Sequence, residues 1–215
     1  MKLKNLIILI ILSIFVFIVN IGQSFALIKI DDESVNLAIK YSIKMKGMPT
    51  RDILGSNWLS DETGRILNIY SPFIQIIMKS TNQGTSGNPE EDIKNIKKIL
   101  NNSINKIKIK NEIRFIIAIY GDKEDFAQKY NAYIIEADKY YSPDKFSKNK
   151  IKPKKINTQK IAERDGFHPA HPFSAVNCYV FKFDDILKLK SYYFVLTSEN
   201  NEEILKYKIN NNEIF

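Results

Sequence analysis

At Lys110 the spacing of apolar residues changes from helical to alternating. Upstream, Ile93, Ile96, Leu100, Ile104 and Ile107 recur every three or four residues and draw one stripe along a helix. Downstream, in the β-branched and aromatic run Asn111 to Tyr120, Ile113, Phe115, Ile117 and Ile119 recur every second residue and draw one face of a strand. Helical patterns gather in the first half, strand patterns in the second, and there is no internal repeat. A parallel α/β sheet needs the two to alternate, so this segregation predicts an α+β fold. We expect a helical region, 27–109, packed on a C-terminal antiparallel β-sandwich, 110–215, of immunoglobulin-like kind, the two forming one unit.

Local signals place the elements. Over Asp31 to Lys46, acids lead and lysines follow, with Gly47 beyond, as a helix dipole and C-terminal cap favour. Val35, Ile39 and Ile43 form one stripe there, and Leu37, Tyr41 and Met45 an adjoining one. The same residues also alternate as in a strand; the charge order and Gly47 favour helix. Met48 to Gly64, punctuated by Pro49, Gly55 and Gly64, reads as a loop that tucks Trp58 inward. Arg65 to Tyr70 reads as a short strand, and Ser71-Pro72 as the cap and first residue of a helix ending near Ser80. Asn88-Pro89 followed by three acids opens the next helix. Strands are expected over Lys129 to Ala137 and Ala175 to Phe183. A hairpin is expected from Tyr192 to Ile209, turning at Asn200-Asn201.

The first residues decide the compartment. Lys2 and Lys4 precede an apolar run from Leu6 to Val19 interrupted only by Ser13, and Ser24-Phe25-Ala26 supplies small residues before a cut after Ala26. Basic end, apolar middle and small-residue exit predict a cleaved signal peptide over 1–26 and an exported product, periplasmic or extracellular. The run is shorter than the roughly 20 residues of a membrane span, and no second one follows, so no transmembrane segment is expected after cleavage. Cys178 is the sole cysteine, which excludes an intramolecular disulfide and leaves packing to hold the domain. The net charge of +8 suits anionic surfaces. It also reflects a chain crowded with Ile, Lys and Asn.

Reactive side chains are densest in the segment Glu163 to Phe173, which holds both histidines. His168 and His171, with Asp165 or Glu163 adding an oxygen, could hold zinc or copper if the loop curled. Pro169 and Pro172 favour an extended form that splays these side chains, and no zinc-ligand spacing is matched. The competing reading is a rigid loop pinned by its prolines and by Phe167 and Phe173. Cys178, flanked by Val176 and Val180, reads as a small core residue rather than a nucleophile. Lys145, Lys148, Lys150, Lys152, Lys154, Lys155 and Lys160 form a basic run: a polyanion-binding patch or a solvated loop without structure. No common catalytic framework is present, and export argues against nucleic acid as a partner.

The order AIKYSIKMKGM, then GRILNIYSPFIQIIMKS, then IRFIIAIYGDKEDFAQKYNAYIIEADKYYSPD resembles a class of small exported bacterial proteins of uncharacterised function. In these a strand ending in a Thr/Ser-Pro-Phe step precedes helices, and a β-rich half follows. The resemblance runs from Ala38 to about Asp144. It implies export and the α-then-β order; it implies no activity and carries no functional residue over. The function expected is a non-catalytic extracytoplasmic binding or structural module, with a protein or an anionic cell-envelope component as partner. The alternative is a metal-binding protein using the His168/His171 loop.

Overall fold

A computed structural model describes Leu27 and residues 29–83, Ser86, 88–102, 108–140, 149–164 and 171–214. The expected signal segment 1–26 lies outside these residues, as do Ile104, Ile107, Lys145, Lys148, Asp165, Phe167, His168 and Pro169. The first helix, α1 (Asp32–Lys44), starts where the acids predicted. Asp31 Oδ1 accepts from the Ser34 N–H at 2.8 Å, and Ser34 Oγ accepts from the Asp31 N–H at 2.8 Å, a reciprocal cap. Past its end, Gly47 takes a φ of +81°, a backbone shape costly for any residue with a Cβ.

Both expected stripes of α1 border the helical core, Ile39 buried in it and Val35, Ile43, Tyr41 and Met45 half-buried against it. Ser34, Ala38, Ser42 and Ile39 face inward, whereas Leu37 is 47% exposed. Small side chains at 34, 38 and 42 let α1 approach α3 (Pro72–Thr81), its main partner among the helices. Residues 48–64 are not the loop that Pro49, Gly55 and Gly64 predicted. They form a short helix α2 (Thr50–Leu54), a single 3-10 turn and strand β1 (Trp58–Ser60). Strand β1 hairpins onto β2 (Ile66–Tyr70) through a turn in which Asp61 Oδ1 accepts from the N–H groups of Thr63 and Arg65. Ser71 caps α3, with Pro72 at its first position, as the sequence predicted. Helix α4 (Pro89–Leu100) follows its Asn88 cap, with Asn88 Oδ1 accepting from the Glu90 N–H.

The remaining strands are β3 (Glu112–Gly121), β4 (Asn131–Glu136), β5 (Lys155–Asn157), β6 (Glu163–Arg164), β7 (Phe173–Lys182), β8 (Ser191–Thr197) and β9 (Glu203–Asn210). A short helix, α5 (Phe183–Leu187), lies between β7 and β8, so Phe183 opens a helix instead of ending a strand. Among the described residues there are two sheets, both antiparallel. One runs β1-β2-β3-β7-β5, with β6 also on β7; the other runs β4-β8-β9. The fold is therefore α+β, and two strands that precede α3 and α4 lie in the same sheet as β3.

Two apolar cores hold the chain. Alternate residues of both sheets meet in the first: Leu67, Ile113, Phe115, Ile117 and Phe181 from one, Ile134, Phe194, Leu196 and Ile209 from the other. Phe115 is its hub, stacked on Phe194 at 5.2 Å between centroids and edge-on to Phe181 at 5.3 Å. Gly121 belongs to this core by necessity, because a Cβ there would lie 2.3 Å from the Phe126 ring. The second core is mainly aliphatic and helical, with Ala38, Ile39, Leu54, Ile74, Ile77 and Ile96 together with the Phe73 ring, and Trp58 packs against it. Gln75 joins the two regions: Nε2 donates to the Glu112 carbonyl at 2.7 Å and to that of Tyr70 at 3.2 Å. On the outward side of β4 and β8, Tyr133, Ile135, Tyr193 and Val195 gather under Tyr140. The Tyr140 hydroxyl donates to Glu203, and Lys206 Nζ donates to the same hydroxyl at 3.0 Å.

Candidate binding surface

The basic run Lys145 to Lys160, read from sequence as a patch or a structureless loop, is built into the fold from residue 149 on. Ile151 exchanges backbone hydrogen bonds with Ile134 at 2.8 and 2.9 Å, on the edge of the three-stranded sheet. Three residues later the Lys154 N–H donates to the Val180 carbonyl at 2.8 Å, and β5 pairs with β7 in the other sheet. The segment is thus a strap from one sheet edge to the other. Pro153, which has no N–H to give, stands at the crossing, where no ladder bond is required of it. Further on, the Val176 N–H donates to Gln159 Oε1 at 2.9 Å, and the Ala162 N–H donates to the Glu124 carbonyl at 2.8 Å.

Two strap lysines are tied down by side-chain chemistry. Lys154 Nζ lies 2.9 Å from Glu112 Oε1, and Arg114 Nη2 lies 3.2 Å from Oε2 of the same buried residue. Burial pushes the Glu112 carboxyl up, but the hydrogen bonds and charges of Lys154 and Arg114 outweigh it and hold the pKa below its ordinary value. Lys150 Nζ sits 4.0 Å above the centroid of the Tyr133 ring, a cation–π geometry. Burial first, then the nearby Glu203 and Tyr140, pushes the Tyr133 phenol up to about 12, so the ring is neutral at physiological pH. Lys152, Lys155 and Lys160 are exposed. The sequence signal that could have revealed the strap is Ile151 and Ile156 set among lysines, two apolar residues that each bring a backbone stretch to a sheet edge.

The predicted metal residues fare differently. His168 and Asp165 lie outside the described residues. His171 leads into β7, and its Nδ1 is 2.6 Å from Asp122 Oδ1. Glu163 is in β6, whose register puts it opposite Ser174. Among the described residues, no three His, Cys, Asp or Glu side chains gather where they could share a metal ion. Asp122 was not singled out from sequence; it comes to His171 because β3 and β7 are paired along their whole length, Gly121 opposite Phe173. The pair lines a cleft of about 500 Å³ in which Arg65, Lys123 and Lys129 face Asp122, Asp125, Glu199 and Glu202.

Cys178 is half-buried on the side of β7 away from the shared core. Burial pushes its thiol up, which Arg114 only partly opposes, so the thiolate needed of a nucleophile is disfavoured. Among the described residues no helix is long and apolar enough to cross a membrane. No protein-family model matches this chain, and no curated protein matches it in sequence.

Proposed function

We propose that this is an exported, non-catalytic module that binds an anionic component of the cell envelope through its strap. The observation that carries the reading is the fastening of the strap to both sheet edges while Lys152, Lys155 and Lys160 point to solvent. A cationic surface held by backbone ladders loses little freedom on binding, which favours affinity for a polyanion. Export rests on the signal pattern of residues 1–26 and predicts a mature N-terminus at Leu27. The scaffold in this reading is a β-sandwich, immunoglobulin-like in layering two antiparallel sheets over one apolar core. The Phe115–Phe194 stack between the sheets supports that layering, and the helices around Ile74 and Ile77 would cover its end near Glu112. Co-sedimentation of the mature chain with envelope preparations at low and high salt tests it. Binding should fall steeply with salt and be lost when Lys152, Lys155 and Lys160 are changed together to Glu; binding that survives this reversal removes the strap from the function.

A second reading keeps the metal site. His171 bonded to Asp122 is the carboxylate–imidazole arrangement that also orients metal ligands, and His168 and Asp165 would complete a zinc or copper site. Elemental analysis of untagged protein, with the H168A/H171A pair, decides it. No bound metal, and no change in melting temperature on adding zinc or copper, ends this reading.

A further inference from the structure

The strap also forms one wall of a pocket of about 320 Å³, closed on the other side by the start of β4 and the β8–β9 turn. We infer that this pocket binds a phosphoryl group carried on glycerol or a small sugar, an inference that rests on the envelope-binding reading above and names its ligand chemistry. Lys150 and Lys152 line the pocket, and among the described residues no Asp or Glu does. The His171 cleft is the contrast, since its cations are matched there by four carboxylates. Three other lysines do sit beside an acid: Lys154 by Glu112, Lys139 by Glu136 and Lys206 by Glu203. Lys152 makes no ion pair with any described carboxylate.

The other walls fit a phosphorylated polyol. Lys150 is steered by the Tyr133 ring beneath it, so its ammonium is already placed. Asn131 and Asn201 bring side-chain amides that can donate to phosphoryl or hydroxyl oxygens. Asn201 is held in a left-handed turn with a φ of 62°, fixed by Ser198, whose Oγ accepts from the N–H groups of Asn200 and Glu202. Ile156 gives an apolar patch for the carbon skeleton. Lysine engages phosphate as a point charge, and the volume is near the lower end for small-ligand sites.

The test titrates the mature chain with inorganic phosphate, sn-glycerol 3-phosphate and phosphatidylglycerol vesicles, read by amide chemical shifts and by co-sedimentation. Glycerol phosphate should shift residues around Asn131, Lys152 and Asn201 and bind more tightly than inorganic phosphate. The K150Q/K152Q variant should weaken it about tenfold, the loss expected for charge-assisted contacts. K94Q/K98Q removes the same charge from the exposed face of α4, away from the strap and the pocket, and should change the affinity less than twofold. Equal losses in the two variants, at unchanged amide dispersion, would mean a diffuse field and overturn the pocket. Vesicle binding with no glycerol phosphate binding in the millimolar range overturns it too, while leaving the envelope-binding reading standing. Failure of every probe, whole envelope included, sinks both.

Discussion

The two cores of this protein are built from different materials. Between the sheets the hub is aromatic, with Phe115 in ring contact with Phe181, Tyr192 and Phe194. Among the helices it is mainly aliphatic, with isoleucines and the small buried residues Ala38 and Ser42 beside the Phe73 ring. Rings stacked between pleated surfaces fix both sheets relative to each other, whereas small residues between helices only set how closely two cylinders approach. The strap is fastened to the sheets, at Ile134, Val180 and Glu112. The proposed binding surface therefore depends directly on the aromatic core and only at one remove, through Gln75, on the helical one.

The largest expected effect comes from removing the hub. Phe115→Ala should cost about 3–5 kcal/mol in denaturant unfolding, because the cavity would open against both sheets. It should also broaden the amide signals of the strap; a sharp strap spectrum in a destabilised variant would break the link between core and surface. Overfilling the helical core should do less: Ala38→Leu should cost about 1–3 kcal/mol and leave envelope binding unchanged. Loss of binding in that variant would show that the two cores are not separable. Smaller again, Ser71→Ala removes the acceptor for the Ile74 N–H and should cost about 1 kcal/mol by thermal melts, confined to the start of α3.

The finest test uses pH. Glu112 has a lowered pKa in the folded chain, so its contribution to stability is full above its ordinary value of 4.5 and is lost as pH falls through the lower folded value. Glu112→Gln should flatten the acid limb of the stability curve below pH 4.5 and leave Lys154 without its partner at every pH. An acid limb of unchanged slope would mean that the strap is held by its backbone bonds alone.

Much of the local structure was legible in the sequence, and the reasons are local. Asp31, Ser71 and Asn88 cap the helices they were expected to cap, because a cap needs only its own first turn. Alternation in Asn111 to Tyr120 identified β3 and its buried face, since pleating fixes which residues share a side. The reading failed over Met48 to Gly64, where glycine and proline punctuation hid two short helical turns and a strand. Strand β1 has only three residues, too few to show a period, and exists because β2 pairs with it. On α1 the apolar stripes seen in the sequence reach the helical core except at Leu37, but the line Ser34, Ala38 and Ser42 was not legible, because serine and alanine carry little hydrophobic signal; its burial follows from the closeness of α3.

The same division holds for the candidate site. By itself the sequence determined the caps, the alternating strands, the lone cysteine, the signal-like start and the surplus of lysine, all properties of neighbouring residues or of composition. The tertiary structure decided what each lysine touches. Lys150, Lys154 and Lys160 look alike in a basic run, yet one lies over a tyrosine, one on a buried glutamate and one in solvent. Those partners come from β4 and β3, more than fifteen residues away in the chain, and only the pairing of strands brings them within the few ångströms over which a charge is neutralised or left exposed.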